Sequence, residues 1–253
     1  MPYTKKPKNA PRRKYARKPK SKMTFEKRVM TIVHKQAETK QKVIQLFNNT
    51  NIPGAGLNLG GVGLQVNNIL SSMSISQGLE QEQRQGNEIS NCKLRVRGLV
   101  ETLPYDVNTN PSYYNYEIHM VVFKKKDDPT GNNNFLKTAP GNITTSCDGT
   151  LINTMYPYNK DLYNIKKVKV FRMLPFVPAT ITSLSQPNTY LFKRFYCDIP
   201  IAKKLKYNDS LTDPTNDWCS IAFYVVNADG TIPSPPQTRA QITMDAMLTY
   251  DDF

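Results

Sequence analysis

The side chains able to do chemistry are unevenly spread along this chain. Its two histidines are far apart: His34 falls in a stretch with helical spacing and His119 in a stretch that reads as a strand, flanked by Ile118 and Met120. Neither has a partner motif nearby, so a histidine-based triad or metal pair has no support in the pattern. Cys92, Cys147, Cys197 and Cys219 contain no CxxC pair, which removes zinc-ligand spacing and leaves buried free thiols as the reading. Gly54, Gly56, Gly60, Gly61 and Gly63 are too irregular to cradle phosphates, and no P-loop, GxSxG or dinucleotide fingerprint occurs. These patterns point away from an enzyme. The concentrated chemistry is positive charge. Residues 1–22 hold ten basic side chains and no acid: Lys5, Lys6, Lys8, Arg12, Arg13, Lys14, Arg17, Lys18, Lys20 and Lys22. Such a run replaces the counterions condensed on nucleic-acid phosphates, and Tyr3 and Tyr15 are placed to stack on bases. Lys27 and Arg28 extend the candidate nucleic-acid-binding set. A nuclear localisation signal or a solubilising tail has the same composition, and these roles are compatible with one another.

The elements that position this charge follow from its distribution. Residues 1–42 carry 15 basic and 2 acidic side chains, whereas residues 43–253 carry 19 and 18, so the net +14 belongs to the N-terminal arm. Pro2, Pro7, Pro11 and Pro19 interrupt the first segment, which predicts a disordered arm over residues 1–23. From Thr24, a plausible N-cap, Phe25, Val29, Ile32, Val33, Ala37, Ile44 and Phe47 recur at helical spacing without Gly or Pro. The expectation is an amphipathic helix over 24–47, with Phe25, Val29, Ile32 and Val33 as its assembly stripe. Packing of that helix on its own domain is the alternative. The Asn- and Gly-rich residues 48–63 read as a flexible hinge.

Beyond residue 63 the signals are strands and loops. Cys92, Leu94, Val96 and Val100 alternate with Lys93, Arg95 and Arg97, the period of a strand with one buried and one basic face. Further strands are predicted over 64–76, 114–125, 165–177, 190–201, 218–227 and 239–250, with a long polar loop over 127–149 and one helical turn over 150–156. Prolines cluster at the strand ends, and no crossover helices separate the strands. The fold class is therefore all-β, an antiparallel sandwich or eight-stranded jelly roll over residues 64–253. Lys124–Lys126 and Lys203–Lys206 are basic clusters at strand ends, read as solvated or as minor phosphate contacts. No stretch reaches the roughly 18 apolar residues of a membrane span. The basic N-terminus lacks an apolar segment behind it, so the expectation is an intracellular origin.

The stretch joining arm to strands carries a motif: Ile75, Gln77, Gly78, then Gln83, Arg84, Gly86, Asn87, then Leu94, Val96, Arg97 and Gly98. It resembles the single-jelly-roll capsid proteins of small icosahedral viruses, of the satellite tobacco necrosis virus type and the circular single-stranded DNA viruses. The step Lys27-Arg28-Val29-Met30 after a basic segment agrees with that family's arm, and Tyr158-Asn159 before a Lys-rich strand is a weaker match. Close similarity covers about 25 residues, and element order covers the rest.

The resemblance implies a two-sheet jelly roll, of which sixty copies close into a T=1 icosahedral virion around a single-stranded genome. The long loops at 127–149 and 207–218 lean toward DNA rather than RNA. Localisation would be the virion, with the host nucleus or cytoplasm during assembly. Some satellite-type shells bind calcium between subunits, and the resemblance maps that site onto Gln85, Glu88 and Asp251. A further acidic ligand position falls on Lys35, so the calcium pattern is incomplete, and a solvated acidic tail at Asp251 and Asp252 is the preferred reading. No cofactor is otherwise expected. Two other classes share parts of the pattern: a nucleic-acid-binding protein with a β-sandwich body that never assembles, and a receptor-binding jelly roll, which would lack such an arm.

Overall fold

The computed structural model describes residues 25, 38–53, 64–103, 115–126, 135–137, 144–145, 147–174, 192–209, 211–231 and 238–252. The chain divides into two compact units, Met1–Ala37 and Glu38–Phe253. In the first, Phe25 is helical. The second is built on β11 (Thr238–Asp252), whose alternation is nearly unbroken. Ala240, Ile242, Met244, Ala246, Leu248 and Tyr250 are fully buried, while Gln241, Thr243, Asp245, Met247 and Thr249 are half-buried on the opposite face. A strand of this length with one wholly apolar face is an obvious sheet centre. It pairs antiparallel with β1 (Glu38–Pro53) on one side and β3 (Glu88–Thr102) on the other. Beyond β3 lies β8 (Phe192–Ile199), and the short β9 (Leu205–Lys206) pairs with the start of β3.

The second sheet runs in the order β2 (Leu64–Val66), β10 (Ser220–Asn227), β4 (Tyr116–Lys125), β7 (Tyr163–Met173). Apart from β9, the strands of the two sheets pair in a nested series: β1 with β11, β2 with β10, β3 with β8, β4 with β7. Chain order thus alternates between sheets in pairs wrapped around one another, which is the jelly roll. Its core lies between the sheets, where Leu94, Val96 and Val100 of β3 meet Ile118, Met120 and Val122 of β4 and Ile221, Phe223 and Val225 of β10.

β10 is buried along its whole length, which alternation cannot produce. A second apolar cluster accounts for it. Ala222, Tyr224, Val226, Val121 and Phe123 face away from the main core and are covered by Phe135, Leu136, Cys147 and Tyr163. Phe123 packs edge-on to both Phe135 (5.3 Å) and Tyr163 (5.6 Å). Within the region expected as a polar loop, the described residues therefore include a cover for the sheet and two short strands, β5 (Leu136–Lys137) and β6 (Thr144–Thr145), and a 3₁₀ turn (Leu151–Met155) follows them. The expected helical turn is that 3₁₀ turn.

The N-terminal boundary of the jelly roll requires a correction. Residues 38–47, expected as the end of an amphipathic helix, and residues 48–53, expected as hinge, are one 16-residue strand, β1. Two irregularities, between Gln45 and Phe47 and between Phe47 and Thr50, shift the register and place Asn49 at φ 44°. These bulges break the period of two, so that Ile44 and Phe47 fall three apart and imitate a helical face. Pairing with β11 satisfies the β1 backbone without any helix, and tertiary pairing outweighs local propensity here. Residues 64–76, expected as a strand, are strand only at β2 and then a short helix, Ile69–Met73, capped by the Asn68 side chain accepting from the Leu70 amide at 3.1 Å.

Candidate functional site

Lys5, Lys6, Lys8, Arg12, Arg13, Lys14, Tyr15, Arg17, Lys18, Lys20, Lys22, Lys27 and Arg28 lie outside the described residues, as do Val29, Ile32 and Val33. The sequence motif of residues 75–98 is described throughout, and its residue types find their reason in a loop organised around Arg84. Ile75 is buried in the main core. The Gly78 amide donates to the Arg84 carbonyl at 2.9 Å and the Arg84 amide to the Ser76 carbonyl at 3.0 Å, closing the loop at its neck. The Gln77 side chain reaches the Gln85 carbonyl at 3.0 Å.

Arg84 itself is completely buried. Its guanidinium donates to the carbonyls of Gly86, Asn208 and Leu211 (the last at 2.9 Å) and to Asn87 Oδ1, and it lies 4.6 Å above the Tyr207 ring. A buried cation held by carbonyl dipoles and a ring face ties together two loops beyond the short β3–β9 ladder at their feet. At the far end of the motif, Gly98 faces inward opposite Phe195. A Cβ there would stand 2.7 Å from the Phe195 ring and from the Thr243 carbonyl, so glycine is what lets the ring approach β3 this closely.

The calcium candidates do not assemble into a ligand set. Glu88 is paired with Lys204, whose hydrogen bond holds the carboxyl below its ordinary 4.5. Both oxygens of Asp251 accept from protein donors, Thr39 Oγ1 at 2.9 Å and Asn91 Nδ2 at 3.0 Å. The Gln85 amide donates to Asp252 Oδ2 at 2.8 Å. Beside it the Lys40 ammonium, on a side chain 1% exposed, lies 2.9 Å from the same carboxylate oxygen and 2.9 Å from the Gln83 carbonyl. The neighbouring carboxylate is thus paired with an ammonium, and no cluster of three His, Cys, Asp or Glu suited to a metal occurs among the described residues. Asp251 and Asp252 are both buried, so the solvated-tail reading gives way to a structural one.

The two basic clusters are also partly spoken for, Lys204 by Glu88 and Lys124 by Asp217, which Lys166 of β7 shares. Lys124 (3.2 Å) and Lys166 (3.3 Å) both reach Asp217, which also accepts from the Ala202 amide at 2.7 Å. Burial pushes that carboxyl up, but the amide and the two ammoniums outweigh it and hold it below its ordinary 3.8. His119 sits in a cavity lined by Glu117, Leu151, Thr154, Val170, Arg172 and Lys193. Its Nε2 is 3.0 Å from Glu117, and its ring stacks on Tyr224, whose hydroxyl is 3.3 Å from Nδ1. Burial lowers its pKa below 6.5 against the opposing pull of Glu117. Among the described residues no Ser or Cys side chain lines this cavity.

No protein-family model matches the chain, and no characterised protein matches it in sequence. Among solved structures, a chain from the structure of turnip yellow mosaic virus at 100 K is similar over 85% of this chain and 94% of its own, at 12% identity and TM-score 0.33. A chain from heated full particles of Israeli acute paralysis virus covers 96% of this chain and 83% of its own, at 11% identity and TM-score 0.30. VP1 of trichodysplasia spinulosa-associated polyomavirus, in complex with sialylated glycooligomers, follows at 10% identity and TM-score 0.26, over 84% of this chain and 94% of its own. These superpositions are loose, and the jelly-roll assignment rests on the nested strand pairing described above.

Proposed function

We propose that this chain is a viral coat protein whose jelly-roll bodies assemble into a closed icosahedral shell of sixty copies. In this reading the basic arm gathers a single-stranded genome, DNA in preference to RNA, into the particle. The observation that carries the reading is segregation of charge onto one side of a structural boundary. Residues 1–37 carry 13 basic and 1 acidic side chains, whereas residues 38–253, the jelly-roll unit, carry 21 and 19. A nearly neutral body can pack against copies of itself without long-range repulsion, while the arm supplies the counter-charge for phosphates. The motif of residues 75–98 adds support, because its Arg84 and Gly98 have definite places in this fold. The stripe of Phe25, Val29, Ile32 and Val33 belongs to the same proposal, as the surface by which arms associate between copies.

The test is electron microscopy and sedimentation of the full chain, with and without residues 1–22. Closed particles containing nucleic acid are expected from the full chain, and loss of co-purifying nucleic acid from the truncated one. A full chain that stays monomeric or trimeric in the presence of nucleic acid would leave the non-assembling nucleic-acid-binding reading in its place.

A further inference from the structure

β7 and β8 end their respective sheets, and among the described residues each has one strand partner, β4 and β3. They lie side by side along one flank of the sandwich, where the Lys193 ammonium of β8 donates to the Arg172 carbonyl of β7. The two strands carry Lys166, Lys167, Lys169, Arg172, Lys193 and Arg194 against a single acid, Asp198, which Arg95 holds at 2.9 Å. Lysine on a free sheet edge guards against pairing with another strand, and an identical edge from a second copy would meet like charge.

That guard does not explain the rings. Phe192 is 51% and Tyr196 55% exposed, both on the outer face of β8 with Arg194 between them. The Arg194 guanidinium lies 5.5 Å from the Phe192 ring centre, and that of Arg95 5.9 Å from Tyr196. Four residues of strand separate the rings by about 13 Å, so each can take a base without competing with the other. On the inner side of β8, Lys169 lies 5.7 Å from the Phe195 ring. Lys167 and Lys169 also approach Cys197, where they oppose the larger upward push of burial on its thiol. Rings on one side of a strand and ammoniums on the other make the pattern that binds unpaired bases and their backbone together. Duplex bases are already stacked and have no use for the rings.

We infer that the β7–β8 flank is a second nucleic-acid site, in which single-stranded nucleic acid runs along β8, its bases stacked on Phe192 and Tyr196 and its phosphates held by Lys167, Lys169 and Arg194. The inference rests on the coat-protein reading and adds a contact on the folded body to that of the arm. Binding here needs no particular base sequence, because every base has a π-face.

Photo-cross-linking of the full chain to an iodouracil-substituted oligodeoxynucleotide tests it, with adducts located by mass spectrometry. Adducts at Phe192 or Tyr196 are expected, besides any within residues 1–37. In fluorescence-anisotropy titrations, F192A/Y196A weakens binding of the same oligonucleotide about tenfold or more with the salt dependence unchanged. K167A/K169A/R194A lowers the slope of log K against log salt by about 2. Adducts confined to residues 1–37, with wild-type affinity in both variants, would overturn the second site and leave the arm's role standing. A full chain that binds no oligonucleotide at all overturns the coat-protein reading as well. Wild-type oligonucleotide affinity with lost particle yield in F192A/Y196A would assign the flank to contact between copies instead.

Discussion

His119 is the residue whose environment has the clearest consequence in solution. It is buried among Glu117 of its own strand, Tyr224 of β10, Arg172 of β7 and Lys193 of β8, and its carboxylate partner is shared with Arg172 at 3.1 Å. Burial favours the neutral ring, so its folded pKa lies below the ordinary 6.5. A group with a depressed folded pKa that must become charged binds more protons in the unfolded chain. Its contribution to stability is present above about 6.5 and is lost as pH falls toward the folded value. Urea unfolding between pH 7.5 and 5 should therefore show stability declining below pH 6.5, and H119Q should flatten that decline by up to about 1.4 kcal/mol per pH unit. Identical slopes in the two proteins would show that His119 titrates as it does in water. Arg84 shows a different design: its guanidinium is held by carbonyls, with no carboxylate among its hydrogen bonds, and it fixes the geometry of two loops.

At the scale of elements, the question is what holds β1 in the sheet. β1 is interrupted by two bulges, and its register with β11 is regular from Glu38 to Gln45. The Lys40–Asp252 pair closes that regular half, joining β1, the end of β11 and the loop at Gln83 through one buried ammonium. Removing one member leaves an unanswered charge, a cost of about 3–5 kcal/mol, whereas removing both charges costs much less. K40M should lose roughly that amount in denaturant unfolding, and K40M/D252N should regain most of it while keeping an acceptor for the Gln85 amide. Hydrogen exchange in K40M should speed first at residues 38–45. A K40M chain as stable as wild type would mean that the ladder alone holds the strand.

For the whole molecule, the coat-protein reading sets a charge balance. Sixty arms would bring about 700 net positive charges inside a shell, matching a genome on the order of a thousand nucleotides. Replacing Arg12, Arg13, Lys14 and Arg17 with Gln removes four of the 13 basic side chains of residues 1–37. The nucleic acid extracted from particles should then shorten by about a third, measured on denaturing gels. Unchanged length would assign the neutralisation to the body or to ions, and binding along β8 then becomes the larger contributor.

The sequence by itself determined the fold class, because alternation in β3 and β11 and the aromatic and β-branched runs of β4 and β10 are local properties of the chain, and the prolines and missing crossover helices excluded a parallel sheet. It also determined the segregation of charge, which composition alone reveals. Only the tertiary structure decided that residues 38–53 are strand: with bulges at Gln45 and Phe47 the local period is three, and β11, some 200 residues away, supplies the hydrogen bonds. The same holds for Lys40, whose partner is Asp252, and for Asp251, which the resemblance had offered to calcium and which Thr39 and Asn91 occupy. The rings on β8 were legible as the alternation of Phe192, Arg194 and Tyr196 against Phe195, Cys197 and Ile199. That β8 ends a sheet and lies beside the lysines of β7 was not, since strand order depends on which distant backbone answers each amide, and nothing within one segment encodes it.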